Sequence, residues 1–132
     1  MIVALLLPSL LFAAQGPDDA GEYFEKKVRP LLEEHCLECH SASKKIKGGL
    51  RLDLQAGWQM GGDSGPALIP HNPDASLLIK AVRYRDPDFQ MPPRKKLESR
   101  EIEILEEWVR AGASDPRHED PASQTVRVKS RA

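Results

Sequence analysis

Cys36-Leu37-Glu38-Cys39-His40 places both cysteines of a 132-residue chain, and one of its four histidines, within five consecutive positions. Several chemistries use two thiols at this spacing: a disulfide, a redox dithiol, half of a zinc site, or covalent attachment of a haem. A disulfide between Cys36 and Cys39 would close a very short loop and constrain little of the unfolded chain. A thioredoxin-like dithiol belongs at the N-terminus of a helix within a βαβ unit, where the helix dipole lowers the thiol pKa. Here the pair follows a helical pattern, and no βαβ pattern surrounds it. Structural zinc takes four ligands, usually in two pairs; the chain has no second C-x-x-C, and His35 and His71 match no common zinc spacing. Covalent haem c fits what remains. The two-residue gap lets both thiols reach two vinyl groups of one ring, and His40, beside the second thioether, holds its imidazole at the iron.

The remainder of the chain is compatible with that use. Its length suits one compact domain. With 30% charged residues and a formal net charge of -1 it lacks the basic excess of a nucleic-acid binder. Aromatic residues are only 5%, thin for a core of this size unless a bound apolar group fills its centre. At the N-terminus an apolar run from Ile2 to Phe12, followed by Ala13 and Ala14, reads as the core and cleavage region of a signal peptide. The run is too short to span a bilayer, and Pro8 argues against a buried helix. No Lys or Arg precedes it and no strict A-x-A ends it, so a retained N-terminal anchor is the alternative. The expected layout is a signal peptide or anchor over 1–16, a folded domain over 20–113, and a disordered tail or linker over 114–132.

Within the domain, Phe24, Val28, Leu31, Leu32 and His35 recur at the spacing of one helix face, so the pattern predicts a first helix over 21–35. Asp18 and Asp19 are candidate caps, and Pro30 should bend or split the helix. From Ser43 to Pro73 the chain turns rich in Gly and Pro, with Leu50, Leu52 and Leu54 alternating. This reads as a long structured loop with one small hairpin, and a loop of that length implies something to wrap. Leu77, Leu78, Ala81 and Val82 predict a short second helix capped by Asp74 or Ser76. Ile102, Leu105, Trp108 and Val109 predict a last helix that ends at Gly112. Trp108 and Val109 should pack on the Phe24 and Val28 face. The fold class is therefore all-α, three main helices and a long Gly/Pro-rich loop around one haem.

A methionine thioether is the usual sixth ligand of an electron-carrying haem. Met91, stiffened by Pro92 and Pro93, is favoured over Met60, which sits beside Gly61 and Gly62. His71, His35 or an open position are the alternatives. Trp58, Arg51 and Arg94 are candidates to meet the haem propionates, although packing or surface roles are the simpler account of each.

Five stretches in order, "YFEKKVRPLLEEHCLECHS", "KGGLRLDLQAGWQMGGDSGPALIP", "NPDASLLIKAVRY", "MPPRKKL" and "EILEEWVRAGASDPR", give the chain a resemblance to the planctomycete-type cytochrome c domain, from about Tyr23 to Arg117. The resemblance implies a class I-like cytochrome c fold with haem attached at Cys36 and Cys39, His40 as proximal ligand and Met91 as distal ligand. Two departures stand out. His71 occupies the glycine position of a P-G-x-P turn, and Glu98 replaces a capping Ser or Thr, which points to Ser99 as the cap.

The resulting expectation is a c-type cytochrome carrying single electrons, an electron carrier and not an enzyme, free-standing or as the N-terminal module of a longer exported protein. Its partners would be redox proteins met transiently, with no nucleic acid, and with a membrane only if the N-terminal segment is retained. Its location would be exported, periplasmic or on the outer face of the cytoplasmic membrane. The alternatives are a peroxidase-like haem enzyme module or a haem-based redox sensor, both needing a vacant or exchangeable sixth position.

Overall fold

The computed structural model of the protein describes residues 17–118. The expected signal peptide or anchor over 1–16 and the chain beyond 118 lie outside the described residues. Helices α1 (Pro17–Tyr23), α2 (Arg29–His35), α3 (Gln55–Met60), α4 (Leu77–Val82) and α5 (Ser99–Arg110) form the frame. No strand occurs among the described residues, so the fold is all-α; two isolated bridges join His40 to Ile46 and Gly62 to Gly65. No helix among the described residues is long and apolar enough to cross a membrane.

The expected first helix is present but interrupted. A π-turn over Phe24–Val28 joins α1 to α2. Its wider turn has a local cause: Pro30 has no N–H and its ring crowds the carbonyl four residues back, so the turn just ahead of it opens. The Arg29 N–H accordingly donates to the Phe24 carbonyl, five residues back. Phe24, Val28, Leu31 and Leu32 all face the core. Asp18 and Asp19 do not cap the helix, because they already lie inside α1.

Helix α5 buries Ile104, Leu105, Trp108 and Val109, with Ile102 packed at the edge. Its N-cap is Glu98, not Ser99, which is the first helical residue. Glu101 makes Glu98 a workable cap: its Oε2 accepts the Glu98 N–H at 2.9 Å, the returning half of a capping box. That backbone hydrogen bond is also the first cause holding the Glu101 carboxyl below the ordinary carboxylate value.

Two further findings differ from expectation. The Gly/Pro-rich stretch contains α3, a helix whose reason is tertiary. Gln-Ala-Gly-Trp-Gln-Met is too short to hold a helix by itself and has Gly57 within it, yet Trp58 is buried edge-on against Trp108, with ring centroids 6.2 Å apart at 80°. Phe24 completes the aromatic cluster from the other side, 5.7 Å from Trp108. The boundary expected at Ala113 also moves outward, since the chain stays packed to His118. Trp108 Nε1 donates to the Ser114 carbonyl at 2.9 Å, and Trp58 Nε1 donates to Asp115 Oδ2 at 3.0 Å. Arg117 Nη2 pairs with Asp115 Oδ2 at 2.7 Å, Arg117 Nη1 donates to the Leu52 carbonyl at 2.7 Å, and the guanidinium lies 4.8 Å from the Phe24 ring centre.

His71 adopts a backbone conformation that favours glycine. Its φ of 67° is left-handed, a region that His enters more readily than most non-glycine residues. The Val109 carbonyl accepts its N–H at 2.8 Å, and its Nδ1 lies 3.1 Å from the Arg110 carbonyl.

Burial by itself would raise the pKa of Asp115, but hydrogen bonds and charge from Arg117, with the Trp58 indole, hold it below its ordinary value of 3.8. Asp115 therefore stabilises the fold fully above that ordinary value and loses its contribution as pH falls through the lower folded value. Replacing Asp115 with Ala should cost about 3 kcal/mol in urea denaturation near neutral pH, because it leaves the Arg117 charge buried and unpaired. The wild type should converge on the variant's stability in acid, below the normal carboxylate range.

Candidate functional site

The last turn of α2 runs directly into the cysteine pair. Cys36 N–H donates to the Leu32 carbonyl at 2.9 Å, and the Cys36 carbonyl then accepts the N–H groups of Cys39 at 3.2 Å and His40 at 3.0 Å. Cys36, Cys39 and His40 thus share one tight turn. It is clamped from outside: the Cys39 carbonyl accepts the Lys47 N–H at 2.8 Å, the His40 carbonyl accepts the Leu52 N–H at 2.7 Å, and Ser41 Oγ donates to the Leu37 carbonyl at 2.6 Å. These ties account for the turned-back segment 41–52 that the alternating leucines suggested as a hairpin.

The turn opens onto a cavity of about 350 Å³ whose walls are mainly apolar, among them Leu50, Leu52, Leu78, Ala81, Val82 and Phe89. All four sequence-proposed site residues, Cys36, Cys39, His40 and Met91, line it. Met91 is brought there by backbone: its N–H donates to the Ala81 carbonyl at the end of α4, at 3.1 Å. Met60 does not line the cavity and is 80% exposed. His71 is exposed away from it, tied to α5 as described. His35 does line it, but its Nε2 lies 3.2 Å from Glu101 Oε1 on α5.

The candidates for meeting the propionates fall elsewhere. Trp58 is committed to Asp115, Arg51 Nη2 pairs with Asp53 at 2.9 Å, and none of Trp58, Arg51 and Arg94 lines the cavity. Among the described residues of the wall, Lys47 alone carries a fixed positive charge, and Asp63 a carboxylate. Neither stands out in the sequence. The signal that could have found them is the pair of diglycines, Gly48-Gly49 and Gly61-Gly62, that frames this wall. The Asp63 N–H donates to the Gly48 carbonyl at 2.8 Å, and a Cβ on Gly62 would lie 2.2 Å from the same oxygen.

The state of the donor atoms separates the chemistries left open by spacing. Cys36 and Cys39 are free thiols. Burial, with Cys39 adding to it, pushes the Cys36 thiol up to about 12. A redox dithiol needs the reverse, a thiolate near neutral pH. Zinc is disfavoured by placement, since the group of ligand atoms brought together among the described residues is Glu34, His35 and Glu101, with neither cysteine in it. At His40, Nδ1 lies 3.2 Å from the Leu50 carbonyl. A carbonyl only accepts, so Nδ1 carries the proton and Nε2 keeps its lone pair for a metal, the second-sphere arrangement that fixes a ligating imidazole. An apolar cavity with two thiols, an oriented imidazole and a thioether on its wall fits a haem c.

The model of the family described as Planctomycete cytochrome C matches residues 36–95. Over that stretch the chain is similar to a planctomycete-type cytochrome c domain. The match begins at Cys36 itself and takes in His40, both diglycines, α4 and Met91, so it spans every residue lining the cavity except His35. A cytochrome c domain is a haem-binding redox module. No curated protein and no solved structure matches the chain.

The diglycine contact gives a test of the wall. Gly62→Ala forces backbone apart at the Gly48 carbonyl and should lower stability by about 2 kcal/mol, read by thermal or urea denaturation. Gly21→Ala meets nothing within 4 Å and should be neutral or slightly stabilising.

Proposed function

We propose that the chain is a c-type cytochrome that carries single electrons and turns over no substrate of its own. The observation that carries this reading is that Cys36, Cys39, His40 and Met91, from two separated segments, line one apolar cavity. Cys36 and Cys39 would hold one haem through two thioethers, with His40 and Met91 as its axial ligands. Bound there, the haem supplies a reversible one-electron couple.

The protein's own residues would set the properties of that couple. The Leu50 carbonyl, by accepting from His40 Nδ1, fixes the ring and raises the basicity of Nε2. Met91 offers a soft sulfur donor, which favours the ferrous state and raises the potential. The apolar walls exclude water and sharpen that preference. Lys47 is placed to neutralise a propionate. A catalyst of the peroxidase kind would need an open sixth position, and a Met on the cavity wall speaks for the carrier instead. The chain would work outside the cytoplasm, periplasmic or at the outer face of the membrane. There it would meet redox proteins transiently, either alone or as the leading module of a longer exported protein.

Spectroscopy of the ferric holoprotein tests this reading. A weak far-red sulfur-to-iron band is expected, lost in Met91→Ala together with a fall in potential, and unchanged in Met60→Ala. A high-spin ferric spectrum in the wild type would overturn the carrier reading in favour of the enzyme or sensor. Covalent attachment is checked separately: a haem-stained denaturing gel and the intact mass should show one haem in the wild type. Cys36→Ala with Cys39→Ala should show none.

A further inference from the structure

Tyr84 has a left-handed backbone, φ 60°, a conformation that a bulky L-residue adopts at a cost and glycine adopts freely. Strained positions of this kind persist where the surroundings hold them, and they cluster at sites where the strain has a use. Local geometry gives a reason for a side chain here. The six residues Arg85–Gln90 leave the end of α4 as an excursion and return at Met91. Tyr84 and Met91 close its base: the Ala81 carbonyl accepts both the Tyr84 N–H at 3.3 Å and the Met91 N–H at 3.1 Å. The Tyr84 hydroxyl donates to the carbonyl of Pro92, one residue beyond Met91. Gln90 Nε2, one residue before Met91, reaches the Tyr84 carbonyl at 3.4 Å. Met91 is therefore bracketed on both sides by ties to a single residue, although Tyr84 does not itself line the cavity.

We propose that Tyr84 is a positioning residue for Met91, and that the left-handed turn is retained because it aims the phenol at the Pro92 carbonyl. Met91 needs such help. It is 42% exposed, so packing alone does not hold its thioether to the cavity, and its segment lacks helical support between α4 and α5. Removing the phenol hydroxyl frees the chain just after Met91 and weakens the grip of its sulfur on the iron, while the apolar core that includes Ile79, Val82 and Leu105 is left intact. This inference rests on the reading of Met91 as sixth ligand.

Competition by imidazole for the ferric iron of the holoprotein measures that grip directly. Tyr84→Phe keeps the ring and should bind imidazole about five- to tenfold more tightly than wild type, the scale of one lost hydrogen bond. Its haem content and far-ultraviolet circular dichroism should be unchanged. Gln90→Ala cuts only the weaker tie and should move the affinity in the same direction by a smaller factor. Asp86→Ala, which removes the Asp88 N–H acceptor within the excursion, should leave the affinity where it was. Wild-type imidazole affinity in Tyr84→Phe, with the far-red band present in both proteins, would overturn the positioning role alone. Should Tyr84→Phe not accumulate, an unchanged affinity in Gln90→Ala would overturn it. A wild-type protein without the far-red band would overturn the Met91 assignment, and this inference with it.

Discussion

The indole of Trp108 sits between Phe24, 5.7 Å away, and Trp58, 6.2 Å away, while its N–H is held by the Ser114 carbonyl. Each neighbour belongs to a segment with a task at the cavity. Phe24 begins the π-turn that leads through α2 into Cys36. Trp58 anchors α3, which ends at the diglycine wall. Trp108 itself belongs to α5, whose start follows the Met91 segment. One buried ring thus relates the thiol turn, the glycine wall and the methionine segment. Edge-on aromatic contacts are directional as well as apolar, so the cluster constrains the angles between short helices that could not hold themselves.

The cavity is built with little polar chemistry, and its donor groups are each held by a local contact. The His40 ring is fixed by one carbonyl, the thiols by one turn, and Met91 by the end of α4. The raised pKa of the Cys36 thiol follows from its burial in the same apolar setting. A site made to bind a large apolar ring covalently would have this character, and one made for thiol exchange would not. Two charged groupings lie away from the cavity: Arg117 with Asp115 closes the C-terminal strap, and Arg83 bridges Asp74 and Glu106.

Much of the fold was legible where apolar residues recur with a helical period. Phe24, Val28, Leu31 and Leu32 face inward as their spacing requires, and so do Leu105, Trp108 and Val109. Two of the failures share a cause: they involve contacts between residues far apart in the chain. Helix α3 exists because Trp58 meets Trp108 and Asp115, and nothing in Gln55–Met60 announces that. Ser114–His118 has no apolar periodicity, yet Asp115 is buried because Arg117 and Trp58 satisfy it. The third is local: Glu98 caps α5 because Glu101, three residues on, reaches back, a pairing that the residue type at one position cannot show.

For the site, spacing alone determined that Cys36, Cys39 and His40 lie together, since residues three and four apart in one turn are neighbours whatever surrounds them. Sequence also favoured Met91 over Met60 through its prolines. Only the tertiary structure decided that Met91 and the cysteine turn, more than fifty residues apart, line the same apolar cavity while Met60 lies outside it. It also decided which His40 nitrogen is free, because that depends on the Leu50 carbonyl being folded back against the ring. Local geometry is written in a few adjacent residues, whereas the meeting of distant segments depends on which side chains the whole core can bury together.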